Sequence, residues 1–298
     1  MEEAVVISIV IVGYNVARHL PPCLDSIYRQ SYKNFEVIFV NNGSTDNIVS
    51  ILKSYTSVKV INNDENKGFC FANNQAIKIA KGDYVLSLNS DVVLDENFLL
   101  ELKSAAERDD AGLFGAKILK DEDRSIDSTG LRLSWFYRFF DRGSDEIDRG
   151  QYDMQVDIFG PCGASALYKK EMLEDIRYNG EYFDEDFFFL GEDFDLAWRA
   201  KKRGWKAMFV PKAVCYHIRN STNFNRDFRE FLSFRNRSFL LIKNSSLNFR
   251  YLIVFFLYDT PRFLYMLLTN RYACRALYEV IKYRPKMLRK RLGNAKTT

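Results

Sequence analysis

KGDYVLSLNSDV, Lys81 to Val92, is the stretch whose reading decides the fold. Gly82 and Asp83 open an uninterrupted apolar run, Tyr84 to Leu88, of the kind expected for a parallel strand covered on both faces. The run ends in a polar tip, Asn89-Ser90-Asp91. In open α/β sheets, ligands bind just beyond the carboxyl ends of the strands. Two side chains two residues apart in extended chain point to the same side, so Asn89 and Asp91 can aim at one site. A carboxylate with a carboxamide is an oxygen donor set, suited to Mg²⁺ or Mn²⁺ shared with a phosphate rather than to zinc. The competing reading is a turn-forming Asn-Ser-Asp with no ligand at all.

The chain upstream repeats the pattern. Val5 to Val12 reads as a buried strand ending at Gly13-Tyr14-Asn15, followed by a helix over Val16 to Gln30 with Pro21 and Pro22 in its first turn. Phe35 to Val40 is a second strand and stops at Asn41-Asn42-Gly43-Ser44-Thr45-Asp46. Val58 to Ile61 is a third, followed by a loop through Asn66-Lys67-Gly68 and a helix over Phe69 to Ala80; another helix, Asp95 to Arg108, follows the key strand. This alternation predicts an α/β fold with a mostly parallel, doubly wound sheet flanked by helices. Polar clusters follow every strand, which gathers them at one sheet edge. Neither G-x-G-x-x-G nor G-x-x-x-x-G-K-[ST] follows any strand, so side chains and metal, not a glycine loop, are expected to hold any phosphates.

Composition narrows the class. The 298 residues are 47% hydrophobic and 28% charged, ordinary for a globular chain. Five scattered cysteines, Cys23, Cys70, Cys162, Cys215 and Cys274, form no C-x-x-C pair. That argues against a disulfide framework or a cysteine zinc site and for a reducing, cytoplasmic location. No basic n-region precedes the first apolar run, so no signal peptide is expected, and the sequons at Asn42, Asn220, Asn236 and Asn244 read as accidental. The net charge of +4 is unevenly spread: residues 226–298 carry +12 and the first 225 carry −8. A basic, aromatic tail on an acidic body points to an anionic partner.

Residues 110 to 160 are less regular, with an edge strand over Ile126 to Leu133 and a charged, loop-like stretch from Arg138 to Gln155. Small residues around Gly163 and Ala164 lead into a strand, Ser165 to Tyr168, and allow close backbone approach. Gly191 opens a helix in which Phe194, Ala197, Trp198 and Lys201 follow helical spacing. Glu192 and Asp193 then sit in its first turn, where the helix dipole favours a carboxylate and a general base is plausible chemistry. The plainer alternative is helix-start acid plus an i,i+4 pair between Asp195 and Arg199. Trp205 to Val210 is a last strand. His217, just beyond it, is the histidine that could serve as a ligand, since His19 lies on a surface-like helix position.

Taken together, Val12-Gly13-Tyr14-Asn15, Asn41 to Asp46, Glu65 to Phe69, Asn89 to Val92, Gly163-Ala164, Phe183 to Phe188, Glu192 to Leu196, Arg199 and His217 occur in a recognisable order. The set, covering residues 5 to 220, resembles the family 2 inverting glycosyltransferases of GT-A fold, especially the rhamnosyltransferase-like members. The resemblance implies that Asn89-Ser90-Asp91 stands for the D-x-D metal motif. Asp91 is then a ligand of Mg²⁺ or Mn²⁺, Asn89 replaces an acid, and His217 completes the metal shell. It implies Asp193 as the catalytic base. Tyr14, Asn15, Asn41, Asn42, Asp46, Lys67, Gly68, Asn89, Ser90 and Asp91 are implied to hold a dTDP-, UDP- or GDP-sugar. Asn41 departs from the usual Asp of D-N-G-S, which changes the donor and acceptor set offered to a base. The acceptor side is expected to use Gly163, Glu192, Trp198 and Arg235.

The chain divides on this reading into a glycosyltransferase domain, 1–222, and a basic, amphipathic helical extension, 223–298. Helices are expected over Phe224 to Lys243 and Tyr272 to Arg291. Leu247 to Leu268 is the most apolar stretch, but Arg250, Asp259, Pro261 and Arg262 interrupt it, so it is not expected to cross a bilayer. Aromatic faces backed by Arg and Lys suit peripheral attachment to the anionic inner face of a cell membrane and a glycan or polyprenyl-linked acceptor. Two other classes compete. A sugar-phosphate nucleotidyltransferase needs a Gly- and Arg-rich loop where this chain has Gly-Tyr-Asn. A nucleic-acid module is disfavoured by the acidic body, so no nucleic-acid partner is expected. A non-catalytic sugar-nucleotide-binding relative also fits the two Asn replacements.

Overall fold

The computed structural model describes residues 7–219, 225–246 and 248–293. Val5, Val6, Asn220, Phe224 and Leu247, which entered the reading above, lie outside them. In chain order the first half runs β1 (Ile7–Gly13), α1 (Leu20–Tyr28), β2 (Phe35–Asn42), α2 (Ile48–Leu52), β3 (Val58–Asn63), α3 (Phe69–Ile79), β4 (Tyr84–Asn89), β5 (Val92–Leu94) and α4 (Phe98–Arg108). The key stretch is therefore a strand, β4, whose Val85 to Leu88 are buried. Helix α1 starts later than its pattern suggested because Pro21 and Pro22 occupy its first turn, where missing N–H groups cost nothing.

The second half is β6 (Leu113–Lys120), β7 (Ile126–Ser128), β8 (Leu131–Leu133), β9 (Phe139–Asp141), β10 (Val156–Asp157), β11 (Ser165–Lys169), α5 (Lys170–Ile176), α6 (Glu192–Lys202) and β12 (Ala207–His217). The helices α7 (Arg226–Asn244), α8 (Phe249–Val254), α9 (Thr260–Thr269) and α10 (Ala273–Gly293) follow; a π turn, Phe255–Asp259, joins α8 to α9. The irregular middle is more ordered than its sequence suggested. LFGAKILK, β6, is a buried central strand that the sequence reading missed, and the expected edge strand is split into β7 and β8 by Gly130 at φ 115°.

The main sheet has the order β10-β12-β6-β11-β4-β1-β2-β3. Strands β3, β2, β1 and β4 are parallel, as the alternation predicts. Strand β11 is inserted antiparallel between β4 and β6, so the sheet is mixed beyond β4. Two apolar layers cover its faces. One packs α1 and α4 against β1 and β4, and the other packs α3, α5 and α6. Phe239, Leu240 and Ile242 of α7 and Met287 of α10 belong to the second layer, so the helical extension shares the core.

Buried ion pairs fasten that extension. Lys243 Nζ lies 2.6 Å from Asp184 and 2.9 Å from Asp195, while Lys290 reaches Asp184 at 2.5 Å and Asp186 at 2.8 Å. Part of the basic excess of the tail is thus consumed by acidic groups of the body. The interruption of the apolar stretch also proves milder than expected. Residues Phe249–Thr269 form a continuous 21-residue helical run, long and apolar enough by length and composition to cross a membrane.

Candidate active site

A pocket of about 350 Å³ opens at the carboxyl ends of β1, β2 and β4. It is lined by Tyr14 and Asn42, by Asn89 and Asp91, and by Gly163, Glu192 and Asp193. The clustering of polar residues after successive strands is therefore a clustering in space.

Asp91 is buried, and its Oδ1 lies 3.4 Å from His217 Nε2. β4 ends at Asn89, while β6 begins only at Leu113 and β12 at Ala207; sheet pairing brings the two side chains together. Short β5 runs antiparallel to β12, placing Val92 opposite His217, and Ile218 N–H donates to Asp91 O at 2.9 Å. His217 Nδ1 is held by Asp127 Oδ2 at 2.8 Å, and Asp127 is also bonded by Arg219. Burial alone would depress the imidazole pKa, but the bonds to Asp127 and Asp91 push it up to about 9.

These donors fit a small divalent cation. Two ligands about 2.1 Å from one octahedral ion lie about 3 Å apart, close to the Asp91–His217 separation. A carboxylate on the far ring nitrogen, as Asp127 provides, is the usual way a metal-binding histidine is oriented. Among the described residues no three His, Cys, Asp or Glu side chains close around a common point. The protein offers Asp91, His217 and the Asn89 amide at most, and leaves the rest of a coordination shell open, the pattern of a cation shared with phosphate oxygens.

Across the pocket, Gly191 at φ 87° starts α6 in the left-handed region, turning Glu192 and Asp193 into the first turn. Gly163 N–H donates to Asp193 Oδ2 at 3.0 Å. A Cβ on Gly163 would stand 3.4 Å from that oxygen, in ordinary van der Waals contact, so the backbone N–H and not the missing side chain is what Gly163 gives the site. Asp193 Oδ1 accepts the Phe194 N–H at 2.8 Å. Burial pushes the Asp193 pKa up to about 6, while these N–H bonds hold it down. Glu192 is driven further, to about 8, by burial and by the neighbouring Asp193 charge; its Oε2 is buried with no hydrogen-bond partner. Both carboxyls are thus held above the ordinary carboxylate range, and as close neighbours they titrate as a pair, with the proton favoured on Glu192.

Several expected ligand-binding residues prove to build the wall rather than line it. Asn15 Oδ1 accepts the Thr45 N–H at 2.8 Å, and Ser44 Oγ accepts the Asn15 N–H at 3.0 Å. Asp46 Oδ2 accepts the Ala17 N–H at 2.8 Å. Asn41 does not offer its amide to a base. Its Nδ2 donates to Asn62 Oδ1 and its Oδ1 accepts the Ser44 N–H, both at 3.1 Å. Asn42 lines the pocket but is likewise engaged, donating to Asn66 and Gly68 and accepting from Asn63 and Lys67. Gly68 lies behind the Phe188 ring, where a Cβ would meet that ring at 2.5 Å. Lys67 is exposed, with its ammonium 5.4 Å over the Phe71 ring, and Ser90 is buried; neither lines the pocket.

Two acceptor-side expectations are corrected. Trp198 packs among Tyr137, Phe139 and Phe159 as part of an apolar cluster, since its helix position faces that layer and not the pocket. Arg235 is buried; it pairs with Glu279 at 2.9 Å and donates to the Asp186 and Phe187 carbonyls at 3.0 Å, so it joins α7 to α10 and to the body. The residues that do line that side were missed. Asp141 of β9 reaches the pocket from a stretch read as loop, and Arg219, together with Arg229 of α7, lines it as well. Phe188 and Leu190 line it at φ 65° and 71°, left-handed conformations costly for such side chains. The only sequence signal for these was the run of aromatic residues before Gly191.

Comparison with known proteins agrees with this geometry. Residues 8–177, more than half of the chain, match the family described as Glycosyl transferase family 2. Glycosyltransferase GlyA of Streptococcus pneumoniae serotype 4 is 28% identical over 224 residues, covering 72% of this chain and 31% of the relative. Poly-beta-1,6-N-acetyl-D-glucosamine synthase of Staphylococcus aureus is 24% identical over 229 residues, covering 73% and 51%. The chain thus spans a third to a half of these relatives' lengths. Among solved structures, S. aureus TarS 1-349 in complex with UDP-GlcNAc has a TM-score of 0.63 at 18% identity, with 97% of this chain and 89% of that one covered. A Pyrobaculum calidifontis mannosyltransferase in complex with GDP-Man and Mn²⁺ has a TM-score of 0.56 at 16% identity, covering 98% and 74%. The sheet and its flanking helices are accordingly those of GT-A glycosyltransferases. On the strength of the matched domain and of the site that its strands build, the chain belongs to glycosyl transferase family 2.

Proposed function

We propose that this protein is a metal-dependent inverting glycosyltransferase, moving a sugar from a nucleotide-diphosphate sugar to a hydroxyl of a glycan or lipid-linked acceptor. Residues 1–222 form the catalytic domain on this reading and 223–298 its helical extension. The observation that carries it is the presence, in one pocket, of the Asp91–His217 donor pair and a backbone-anchored carboxylate, Asp193. The nucleotide-sugar complexes of the structural neighbours support the donor class, and Mn²⁺ in one of them supports the metal.

Asp91, His217 and Asn89 would hold Mg²⁺ or Mn²⁺, which as a Lewis acid offsets charge developing on a diphosphate leaving group. The imidazole requires loss of its Nε2 proton to act as ligand, and the Asp127 bond to Nδ1 keeps that nitrogen directed at the site. Tyr14 and Asn42 face the nucleotide, with the Asn15, Asn41 and Asp46 turn holding their loop rigid. Asp193 accepts the proton of the acceptor hydroxyl as its oxygen attacks the anomeric carbon from the face opposite the leaving group. Because the attack is a single displacement, the configuration inverts and no enzyme nucleophile forms. The Gly163 N–H fixes the carboxylate, leaving its remaining lone pairs for the acceptor. Glu192, whose buried Oε2 has no hydrogen-bond partner, can donate to the same acceptor when it carries the proton.

A thermal-shift panel tests the donor site. dTDP-, UDP- and GDP-sugars, with dTDP-rhamnose among them for the subgroup the sequence resembles, are each added with and without Mn²⁺. A ligand that binds only the folded state raises its melting temperature. We expect one nucleotide to shift melting only with metal and to lose that effect in Asp91→Ala. A metal-independent shift, or none with any donor while the protein is folded, would overturn the metal assignment or the donor assignment respectively. A cytoplasmic location accords with five free cysteines, three of them fully buried.

A further inference from the structure

The C-terminal helices carry a second feature, independent of sugar transfer. The apolar run from Phe249 to Thr269 is interrupted in sequence by Arg250, Asp259 and Arg262, and in the fold all three turn inward. Arg250 donates to Trp135 O at 2.8 Å and lies 4.0 Å over the Tyr137 ring. Asp259 accepts from Arg237 at 2.6 Å, and Arg262 donates to Ser233 Oγ at 3.0 Å. The π turn at Phe255–Asp259 adds a residue to one turn and so shifts the faces of α9 relative to α8.

What remains outward is uncharged. Phe249, Leu252, Phe256, Leu257, Leu264 and Leu268 are each between 50% and 87% exposed. Leu277, Tyr278 and Ile281 extend the exposed apolar surface onto α10. Contiguous apolar surface on this scale marks an interaction face. Lys282 and Arg284 follow directly, both exposed, and neither forms an ion pair among the described residues.

We infer that this face docks in the plane of an anionic lipid bilayer, with residues 249–269 lying along the headgroup–acyl boundary. The run does not cross, although about 30 Å of helix would suffice to span. Val254 is buried with Tyr137 and Leu241, and Met266 is buried with Phe231 and Phe234. These anchors stand about 18 Å apart along the helix, so the run is bound to the body over most of its length. Crossing would strip both contacts and break the Asp259–Arg237 pair. Lipid is favoured over a second copy of the chain because the acids of these helices, Asp259 and Glu279, are already paired within the chain, so a two-fold contact through this face offers Lys282 and Arg284 no free carboxylate, whereas anionic headgroups neutralise them.

The test uses the full-length protein and phosphatidylcholine vesicles with and without about one-third phosphatidylglycerol. We expect co-sedimentation with the anionic vesicles. The triple variant Leu257→Glu, Leu264→Glu, Leu268→Glu is expected to bind at least about tenfold more weakly, with an unchanged melting temperature because all three side chains are exposed. Lys282→Glu with Arg284→Glu should remove the preference for anionic lipid. No binding of folded wild-type protein to either vesicle overturns the proposal. So does a concentration-dependent dimer that the triple variant abolishes while vesicle binding is absent. Depth is read from Leu252→Cys, Leu257→Cys, Leu264→Cys and Leu268→Cys, each labelled in a Cys274→Ser background and quenched by spin-labelled lipid. Four equally shallow positions support the in-plane arrangement; depth that passes through the midplane along the series overturns it. None of these readouts depends on transferase activity.

Discussion

Three carboxylates fall within four residues at the start of α6, and the fold treats them in opposite ways. Glu192 and Asp193 face the pocket, where burial is offset only by backbone N–H groups, and both are held above the ordinary carboxylate range. Asp195 is fully buried against Lys243 and Asn244 of α7. Burial alone would raise its pKa too, but Lys243 and Arg199 hold it below that range. Asp184, from the preceding loop, shares Lys243 and is lowered in the same way by Lys243 and Lys290. Local sequence is nearly identical for these groups, so the difference lies in the partner each side of the helix meets. The pocket side is kept reactive, and the tail side is an ionic joint.

The contrast can be broken most strongly on the pocket side. Asp193→Asn preserves shape and hydrogen bonding to Gly163 but removes the proton acceptor. Turnover in a donor–acceptor assay is expected to fall about 10²–10⁴-fold with donor binding retained, and near-normal turnover would take Asp193 out of this role. On the joint side, Lys243→Met leaves Asp184 and Asp195 buried without their shared cation. Breaking one partner out of such a network costs about 3–5 kcal/mol, measurable by urea unfolding. A loss no larger than that of a surface substitution would show that Arg199 and Lys290 suffice.

The pH responses of the two sides should have opposite signs. For Asp184 the folded pKa lies below the unfolded one, so its stabilisation is complete above about pH 4 and is lost as pH falls through the folded value. The melting advantage of wild type over Asp184→Asn should therefore shrink in acid. For Glu192 the folded pKa, about 8, lies above the unfolded one. Its contribution is full below about pH 4.5 and is lost as pH rises through 8. Glu192→Gln, which mimics the protonated acid, should gain on wild type steadily from pH 5 to 8 in thermal melts; a constant difference would contradict the assignment. A smaller effect is kinetic. kcat/KM is expected to rise as pH climbs through about 6, where Asp193 becomes the free base.

Much of the fold was legible. The β1-to-β4 half follows from apolar runs broken by polar turns, because strand periodicity and turn chemistry act over a few residues. The second half was less so. Strand β6 holds a Gly and two Lys, and Lys117 is buried against Asp148 and Asp153, pairs that no local pattern announces. The site divides similarly. Asp91, His217 and Asp193 were nameable from motif order, but Asp127 sits in short β7, which pairs with the missed strand β6, and Asp141 sits in β9, which pairs with short β8 in a separate two-stranded sheet. Trp198 and Arg235 failed because residue type cannot tell which way a helix position faces once a further helix packs over it, α7 over Trp198 and α10 over Arg235.

The sequence by itself determined the alternating strands and helices, the polar turns at one sheet edge, the helix start at Gly191 and the basic excess of the tail. These rest on backbone propensity and on side-chain periodicity, which are properties of neighbouring residues. Tertiary structure alone decided that β5 pairs with β12, carrying His217 to Asp91, and that Asp193 receives the Gly163 N–H. It also decided that Arg250, Asp259 and Arg262 turn inward, leaving an uncharged outer face on the helices. Those outcomes depend on long-range contacts, in which hydrogen bonds and ion pairs between distant segments choose one geometry from the many that local preference permits.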